Sequence, residues 1–181
     1  MTQEELTARL KEMGCPSFRA GQIREWLDRG VTDFSQMTNL PKELRERLAE
    51  SYRVPGVTIR RKLVSALDGT VKYLFALDDG ETVESVLMQY KHGWSQCLST
   101  QVGCKMGCTF CATGMGGFIR DLSAAEMLAQ IEAAQQDAGV RVSSIVLMGM
   151  GEPLDNYEQV VRFLRMLSQE GGVHIGMRHI S

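Results

Sequence analysis

The cysteines are the residues of this chain whose type and spacing indicate chemistry. Four of the five lie in the stretch CLSTQVGCKMGCTFC, residues 97–111. Cys104, Cys108 and Cys111 are spaced as CxxxCxxC, and Cys97 stands seven residues before the first of them. Thiolates bind soft transition metals, so this spacing predicts a metal centre. Glycines are frequent from residue 97 to residue 118, at positions 103, 107, 114, 116 and 117, and predict an irregular loop without a regular helix.

Three kinds of metal centre are compatible with these thiols. A structural zinc site usually takes four ligands in two separated pairs, whereas the single CxxC here would have to recruit a distant histidine: His92, His174 or His179. With Cys97 as a fourth ligand, an iron–sulfur cluster would carry electrons, although the intervals differ from the common ferredoxin runs. With three cysteines alone, a four-iron cubane keeps one iron open for a substrate. That third interpretation implies catalysis.

A second motif favours the open iron. Gly149-Met150-Gly151-Glu152-Pro153 follows directly after an apolar run, and in α/β barrels the carboxyl ends of the strands form the functional face. Glycines allow a backbone to approach a ligand closely, and the Glu152 carboxylate can bind an ammonium group. Phe110 adds an apolar side chain that could shield a cluster and lie against an aromatic ligand. Together with the cysteines, this motif predicts a cofactor site.

The pattern of apolar residues divides the chain into three parts. Residues 1–55 show helical spacing and predict a small helical domain. Residues 56–100 alternate apolar and polar side chains between Asp-Gly turns, which predicts a β-meander. In residues 101–181, a capping box from Ser123 to Glu126 opens a helix to about Ala138. A strand at 144–148, a helix over 156–169 ended by Gly171-Gly172, and a last strand at MRHIS complete an α/β pattern.

Bulk composition adds few constraints. The net charge is −2, and basic and acidic residues are balanced along the chain. The chain therefore lacks the basic excess that would indicate a nucleic-acid-binding domain. No membrane-spanning run or secretory signal is present. Five cysteines, four of them clustered as ligands would be, suit a reducing compartment, which predicts a cytoplasmic protein without structural disulfides. The run Arg60-Arg61-Lys62 fits a solvated strand end or a phosphate contact, and Arg120 fits a phosphate contact or a helix cap.

The cysteine motif and the Gly-Glu-Pro motif, one capped helix apart, resemble the radical S-adenosylmethionine (SAM) superfamily. Four stretches narrow the resemblance to the RlmN branch of the RlmN/Cfr family: FRAGQIREWLDRGVTDFSQMTNLPKELRERL, CLSTQVGCKMGCTFCATGMGGFIRDLSAAEM, MGMGEPLDNY and IGMRHIS. The fold implied is an incomplete radical-SAM partial (β/α) barrel over residues 101–181. It follows the β-meander of residues 56–100 and a helical accessory domain for RNA docking, residues 1–55.

The resemblance also implies an activity and residue roles. The family methylates C2 of adenine in 23S rRNA and in tRNA through a methyl-cysteine. The resemblance implies a [4Fe-4S] cluster on Cys104, Cys108 and Cys111, with SAM contacts from Phe110, Gly151 and Glu152. Cys97 matches the resolving cysteine, which forms a disulfide as the RNA adduct breaks, and Glu84 matches the proton acceptor. A low-potential electron donor such as flavodoxin and a monomeric state are expected.

One departure from the family bears on activity. The methyl-carrying cysteine lies near the family's C-terminus, this chain stops at Ser181, and Cys15 falls in the helical part and is no substitute. We therefore expect residues 1–181 alone not to complete methyl transfer. Two alternatives are a Cfr-type methylase acting at adenine C8 and a non-catalytic fragment that binds an iron–sulfur cluster or zinc.

Overall fold

The computed structural model describes residues 3–28, 31, 33–52, 54–168 and 173–181. The first part is helical, as its spacing predicts: α1 (Gln3–Glu12), α2 (Phe18–Asp28), a 3₁₀ turn (Phe34–Gln36) and α3 (Lys42–Ser51). These elements bury a small apolar cluster of their own, which includes Leu6, Leu10, Ala20, Ile23, Phe34, Met37, Leu40, Leu44 and Leu48.

The β-meander is confirmed. Strands β1 (Thr58–Val64), β2 (Val71–Ala76), β3 (Thr82–Tyr90) and β4 (Gly93–Cys97) pair in sequence and antiparallel. Asp68 and Asp79 side chains accept backbone N–H groups in the first two turns, at 3.1 Å each, and glycine with positive φ follows each aspartate. Aspartate and glycine are favoured there because the first closes the turn and the second tolerates its backbone angles.

One further strand extends this sheet, and two helices cover one face of it. Strand β7 (Val142–Val146) pairs parallel to β4, so the sheet order is β1-β2-β3-β4-β7. Helix α5 (Ala124–Ala138) precedes β7 and carries the full Ser123–Glu126 capping box that the sequence predicts. Helix α6 (Tyr157–Ser168) follows it. The second apolar core lies between the sheet and these helices and includes Tyr73, Phe75, Leu87, Met127, Ile131, Phe163 and Leu167.

Alternation along the strands leaves the opposite sheet face open. Tyr73, Phe75 and Leu87 point to the core, whereas Lys72 and Glu84 lie on the other face and are exposed. No helix among the described residues is long and apolar enough to cross a membrane.

Four details of the sequence prediction are wrong or incomplete. Strand β7 begins two residues earlier than predicted and ends two residues earlier, at Val146. The MRHIS segment forms a 3₁₀ turn (Met177–His179) and a single parallel bridge from Ile180 to Ile145, not a strand. A hairpin of β5 (Gln101–Gly103) and β6 (Phe118–Asp121) flanks the cysteine loop, and a one-turn helix α4 (Ala112–Met115) lies within it. Gly171 and Gly172 lie outside the described residues.

Phe75 tests the meander's share of the core. It is fully buried and stacks on Tyr73 at 5.2 Å between ring centroids. Phe75→Ala should lower the free energy of unfolding by about 3–5 kcal/mol, because it removes the ring and leaves a cavity. Leu67→Ala, at a turn residue that is 98% exposed, is the control and should change it by less than about 0.5 kcal/mol. Urea unfolding measures both, and equal effects would contradict this packing.

Candidate functional site

The cysteine loop begins after the end of β5 and ends at the start of β6. The backbone N–H of Cys104 donates to the Gly117 carbonyl at 2.9 Å, which closes the base of the loop. Gly103 has a φ of 75°, and a Cβ there would collide with the Gly117 carbonyl oxygen. Glycine at 103 is therefore required for the loop to close.

All three loop thiols are free and reach the surface. Cys108 is exposed, whereas Cys104 and Cys111 are half-buried. Hydrogen bonds from the backbone N–H groups of Gly114 and Thr113, at the start of α4, lower the pKa of Cys111 and favour its thiolate form.

The donor set fits an iron–sulfur cluster. It consists of thiols alone, and one of them is biased toward the thiolate that binds metals. Within the described part of the chain, no group of three or more His, Cys, Asp and Glu residues is arranged to hold a single metal ion. A cubane spreads its cysteine ligands further apart than a single ion does, so three separated thiols on one loop are compatible with the cluster.

The Gly-Glu-Pro segment, residues 149–153, lies directly against residues 98–101. Leu98 accepts from Gly149 N–H at 2.9 Å, and Met150 accepts from the N–H groups of Thr100 and Gln101. A Cβ on Gly149 would lie 2.6 Å from the Leu98 carbonyl group, and one on Gly151 would lie 2.6 Å from Gln101 Cβ. Both glycines thus allow close contact between two backbone segments, which is a different reason from the ligand approach that the sequence suggested.

Gln101 connects this turn to the cysteine loop. Its side chain is fully buried, and its Oε1 accepts from the backbone N–H of Glu152 at 2.9 Å. Its Nε2 donates to Asp121 at 2.7 Å and to Asp155 at 3.0 Å. The carboxylate of Glu152 accepts from Leu154 N–H at 3.1 Å and is half-buried. The position of Glu152 is therefore set by a buried amide.

Two more buried amides hold residues 99 and 100. Gln130 on α5 accepts from Ser99 N–H and donates to the Ser99 carbonyl, at 3.1 and 3.0 Å. Asn156 donates to the carbonyls of Thr100 and Leu122, at 2.8 Å each. Sequence reasoning missed these side chains, although a polar residue at 130 within the apolar face of α5 was an available signal.

Glu84 and Cys97 lie on the open face of the sheet. Cys97 pairs with Val86, so Glu84, two residues earlier, is its diagonal neighbour, about 7–8 Å away between Cα atoms in a regular sheet. The Glu84 carboxylate forms an ion pair with Lys72 at 2.8 Å. The structure thus brings the two sequence-predicted residues together on one face.

The environment of Cys97 differs from that of the loop thiols. Burial raises the pKa of the Cys97 thiol, and a hydrogen bond from Met148 N–H opposes this only in part. Cys97 lies on β4 rather than in the loop. Its position therefore sets it apart from the CxxxCxxC set.

Phe110 and Arg120 differ from their simplest interpretations. The Phe110 side chain is 92% exposed, so in this structure it shields little. Arg120 donates to Glu126 at 2.8 and 3.2 Å and to Asp79 at 2.6 Å, which joins β6 to α5 and to a meander turn. Burial opposes ionisation of Glu126, but the hydrogen bonds from Arg120 and Ser123 outweigh it and lower the pKa of that carboxyl. Arg120 is thus engaged by two carboxylates.

Two family models match separate parts of the chain. Residues 1–54 match the family model described as ribosomal RNA large subunit methyltransferase N-terminal domain, and residues 98–181 match the radical SAM superfamily. A crystal structure of a radical SAM methyltransferase from Sphaerobacter thermophilus is similar over 99% of this chain and 54% of its own, with a TM-score of 0.89 and 45% identity. These matches place the chain among radical SAM proteins, a superfamily that uses a [4Fe-4S] cluster and SAM.

Relatives identify the family within that superfamily. Proteins named "probable dual-specificity RNA methyltransferase RlmN" from Alkaliphilus metalliredigens and Lachnoclostridium phytofermentans are 51% and 52% identical over the whole chain. A protein of the same name from Geobacillus kaustophilus is 49% identical. The chain covers 51%, 51% and 50% of these three proteins. It belongs to the RlmN family of radical SAM proteins and spans about half the length of the curated relatives it matches.

Gly149→Ala tests the close approach of the two backbone segments. The added methyl group would overlap the Leu98 carbonyl and Ser99 N–H, so we expect a loss of about 1–3 kcal/mol in the free energy of unfolding. Gly21→Ala on α2 is the matched control, because a Cβ there meets nothing within 4 Å and alanine favours a helix. Urea unfolding compares them, and a Gly149→Ala variant as stable as the wild type would contradict the contact.

The opposite pKa shifts of Cys111 and Cys97 predict an order of alkylation. Cys111, whose pKa is lowered, should react with iodoacetamide before Cys97, whose pKa is raised, and the difference should narrow as the pH rises toward the range where both ionise. Peptide mass spectrometry of the metal-free chain across pH gives both rates. Faster reaction at Cys97 at neutral pH would show that the two environments are assigned wrongly.

Proposed function

We propose that the chain contributes to a radical SAM methyltransferase that methylates C2 of adenine in 23S rRNA and in tRNA through a methyl-cysteine. The observation that carries this proposal is the packing of the Gly149–Pro153 turn against residues 98–101, which lead into the three-thiol loop, at the carboxyl ends of β4 and β7. Within the proposal, residues 1–55 are an RNA-docking accessory domain, residues 56–100 lead into the core, and residues 101–181 are the first part of a partial (β/α) barrel.

Cys104, Cys108 and Cys111 would hold a [4Fe-4S] cluster, and Gly151 and Glu152 would form the start of the SAM site. The Glu152 carboxylate suits the amino group of SAM, and Gln101 holds the backbone of Glu152 in place. Phe110, which is exposed beside Cys111, would lie against the cofactor. Bound there, the cluster and SAM would supply the radical chemistry that an unactivated carbon requires.

Glu84 and Cys97 would act on the RNA base. The Glu84 carboxylate, which forms an ion pair with Lys72 at 2.8 Å, would accept the proton from adenine C2. After losing its proton to a base, the Cys97 sulfur would attack the sulfur of a second cysteine, which a methylene group joins to the adenine. A disulfide would form as the carbon–sulfur bond breaks, and the methylene carbon would keep the electron pair of that bond and take up a proton to become the methyl group.

The burial of Cys97 supports its proposed role as the attacking thiol rather than a cluster ligand. A thiol whose pKa is raised stays protonated and unreactive until a base approaches it. None of the five cysteines is assigned the methyl-carrying role. We further propose a monomer that works in the cytoplasm with a low-potential donor such as flavodoxin, since free, clustered thiols suit a reducing compartment.

Anaerobic reconstitution with iron and sulfide tests the assignment of the thiols. The wild type and Cys97→Ala should each bind about four irons and four sulfides per chain, whereas Cys108→Ala should lose the cluster's visible absorbance. Cys15→Ala, which removes a thiol from the helical part, is the matched control. Equal losses in Cys97→Ala and Cys108→Ala would make Cys97 a ligand, and zinc without acid-labile sulfide would overturn the proposal.

A further inference from the structure

Lys105 joins the cysteine loop to the segment that follows β7. It stands between Cys104 and Cys108, and its Nζ lies 2.9 Å from Oδ2 of Asp155. The Phe118 ring, at the point where the loop returns, lies 5.3 Å from the same ammonium. Lys105, near the start of the loop, therefore contacts both the residue at which the loop ends and the segment that follows Glu152.

Asp155 is held in place by contacts other than the one with Lys105. Its side chain is only 20% exposed, and Gln101, which is fully buried, donates to the same oxygen at 3.0 Å. The hydrogen bonds from Lys105 and then Gln101 lower the pKa of the Asp155 carboxyl, so it is ionised at neutral pH. An exposed ion pair usually adds little to stability, because ordering both side chains costs conformational entropy. Here one partner, Asp155, is already fixed, so that cost is smaller.

The loop itself needs such a contact. Residues 104–111 form no helix or strand, and Gly107 has a positive φ of 66°. A loop with this freedom loses conformational entropy when its thiols are brought to one cluster, and a contact that orders it beforehand reduces that cost.

We propose that the Lys105–Asp155 ion pair is a latch that holds the cysteine loop against the turn 149–155 and thereby places the three thiols beside Glu152. Lys105 and Asp155 are positioning residues, because they act through the loop and not on the cofactor. The purpose of the latch rests on the proposed function, whereas the latch itself exists in the metal-free chain.

Hydrogen exchange in the metal-free chain tests the latch alone. Lys105→Ala and Asp155→Asn should each speed amide exchange across residues 104–117 by about two- to fivefold, and high salt should reduce the difference from the wild type. Lys105→Arg should restore the slow rate, because it keeps the charge. Lys42→Ala is the matched control, since it removes an exposed ion pair with Glu46 on α3 and should leave the loop unchanged.

Coupling between the two positions decides the result. The double variant Lys105→Ala/Asp155→Asn should exchange no faster than either single variant, because each change alone already opens the latch. Additive effects, or a Lys105→Ala rate equal to that of Lys42→Ala, would overturn the proposal.

Anaerobic cluster assembly then tests the purpose of the latch. Lys105→Ala should gain visible absorbance about two- to fivefold more slowly than the wild type and Lys42→Ala, and Lys105→Arg should assemble at the wild-type rate. Equal assembly rates for Lys105→Ala and the wild type would overturn this purpose. If the wild type assembles no cluster, the proposed function fails, and the exchange rates still decide whether the latch exists.

Discussion

The close approach of residues 149–151 to residues 98–101 is the contact on which the site depends. Four backbone hydrogen bonds link the residues after β4 to the end of β7 and to the turn beyond it, the first of them from Leu98 N–H to the Val146 carbonyl. Two more bonds use side chains, from Met150 N–H to Ser99 Oγ and from Glu152 N–H to Gln101 Oε1, at 2.9 Å each. Glycine at 149 and 151 makes this spacing sterically possible. Because Cys104, the first residue of the cysteine loop, lies three residues after Gln101, this contact also fixes where the loop begins.

Buried amides turn that contact into a defined geometry. A buried polar side chain is costly unless it is hydrogen-bonded, so Gln101, Gln130 and Asn156 each hold specific backbone groups in one arrangement. Gln130 extends the contact to α5, where Gln96 also donates to its carbonyl at 2.9 Å. On the other side, Ser99 Oγ donates to the Glu84 carbonyl at 2.6 Å. One connected set of hydrogen bonds thus links the surroundings of Glu84, Cys97 and Glu152.

Local signals in the sequence predicted much of the fold. The Ser123–Glu126 capping box and the Asp-Gly turns were predictable because their hydrogen bonds join residues only two or three positions apart. The β5–β6 hairpin, the role of Gly149 and the partners of Gln101 were not, because each depends on residues 15 to 54 positions away. MRHIS has the composition of a strand, but the described residues pair it with β7 through Ile180 alone. The cysteine and Gly-Glu-Pro motifs pointed to the site, whereas its supporting amides required the structure.

The central claim is that three thiolates leave one iron of a cubane open to SAM. Electron paramagnetic resonance of the reduced, oxygen-free chain, recorded before and after addition of SAM, tests it most directly. The account predicts a cluster signal that SAM alters in the wild type and alters less in Glu152→Gln, which lacks the carboxylate for the amino group. A cluster signal that SAM leaves unchanged, or one in which cysteine ligates every iron, would contradict it.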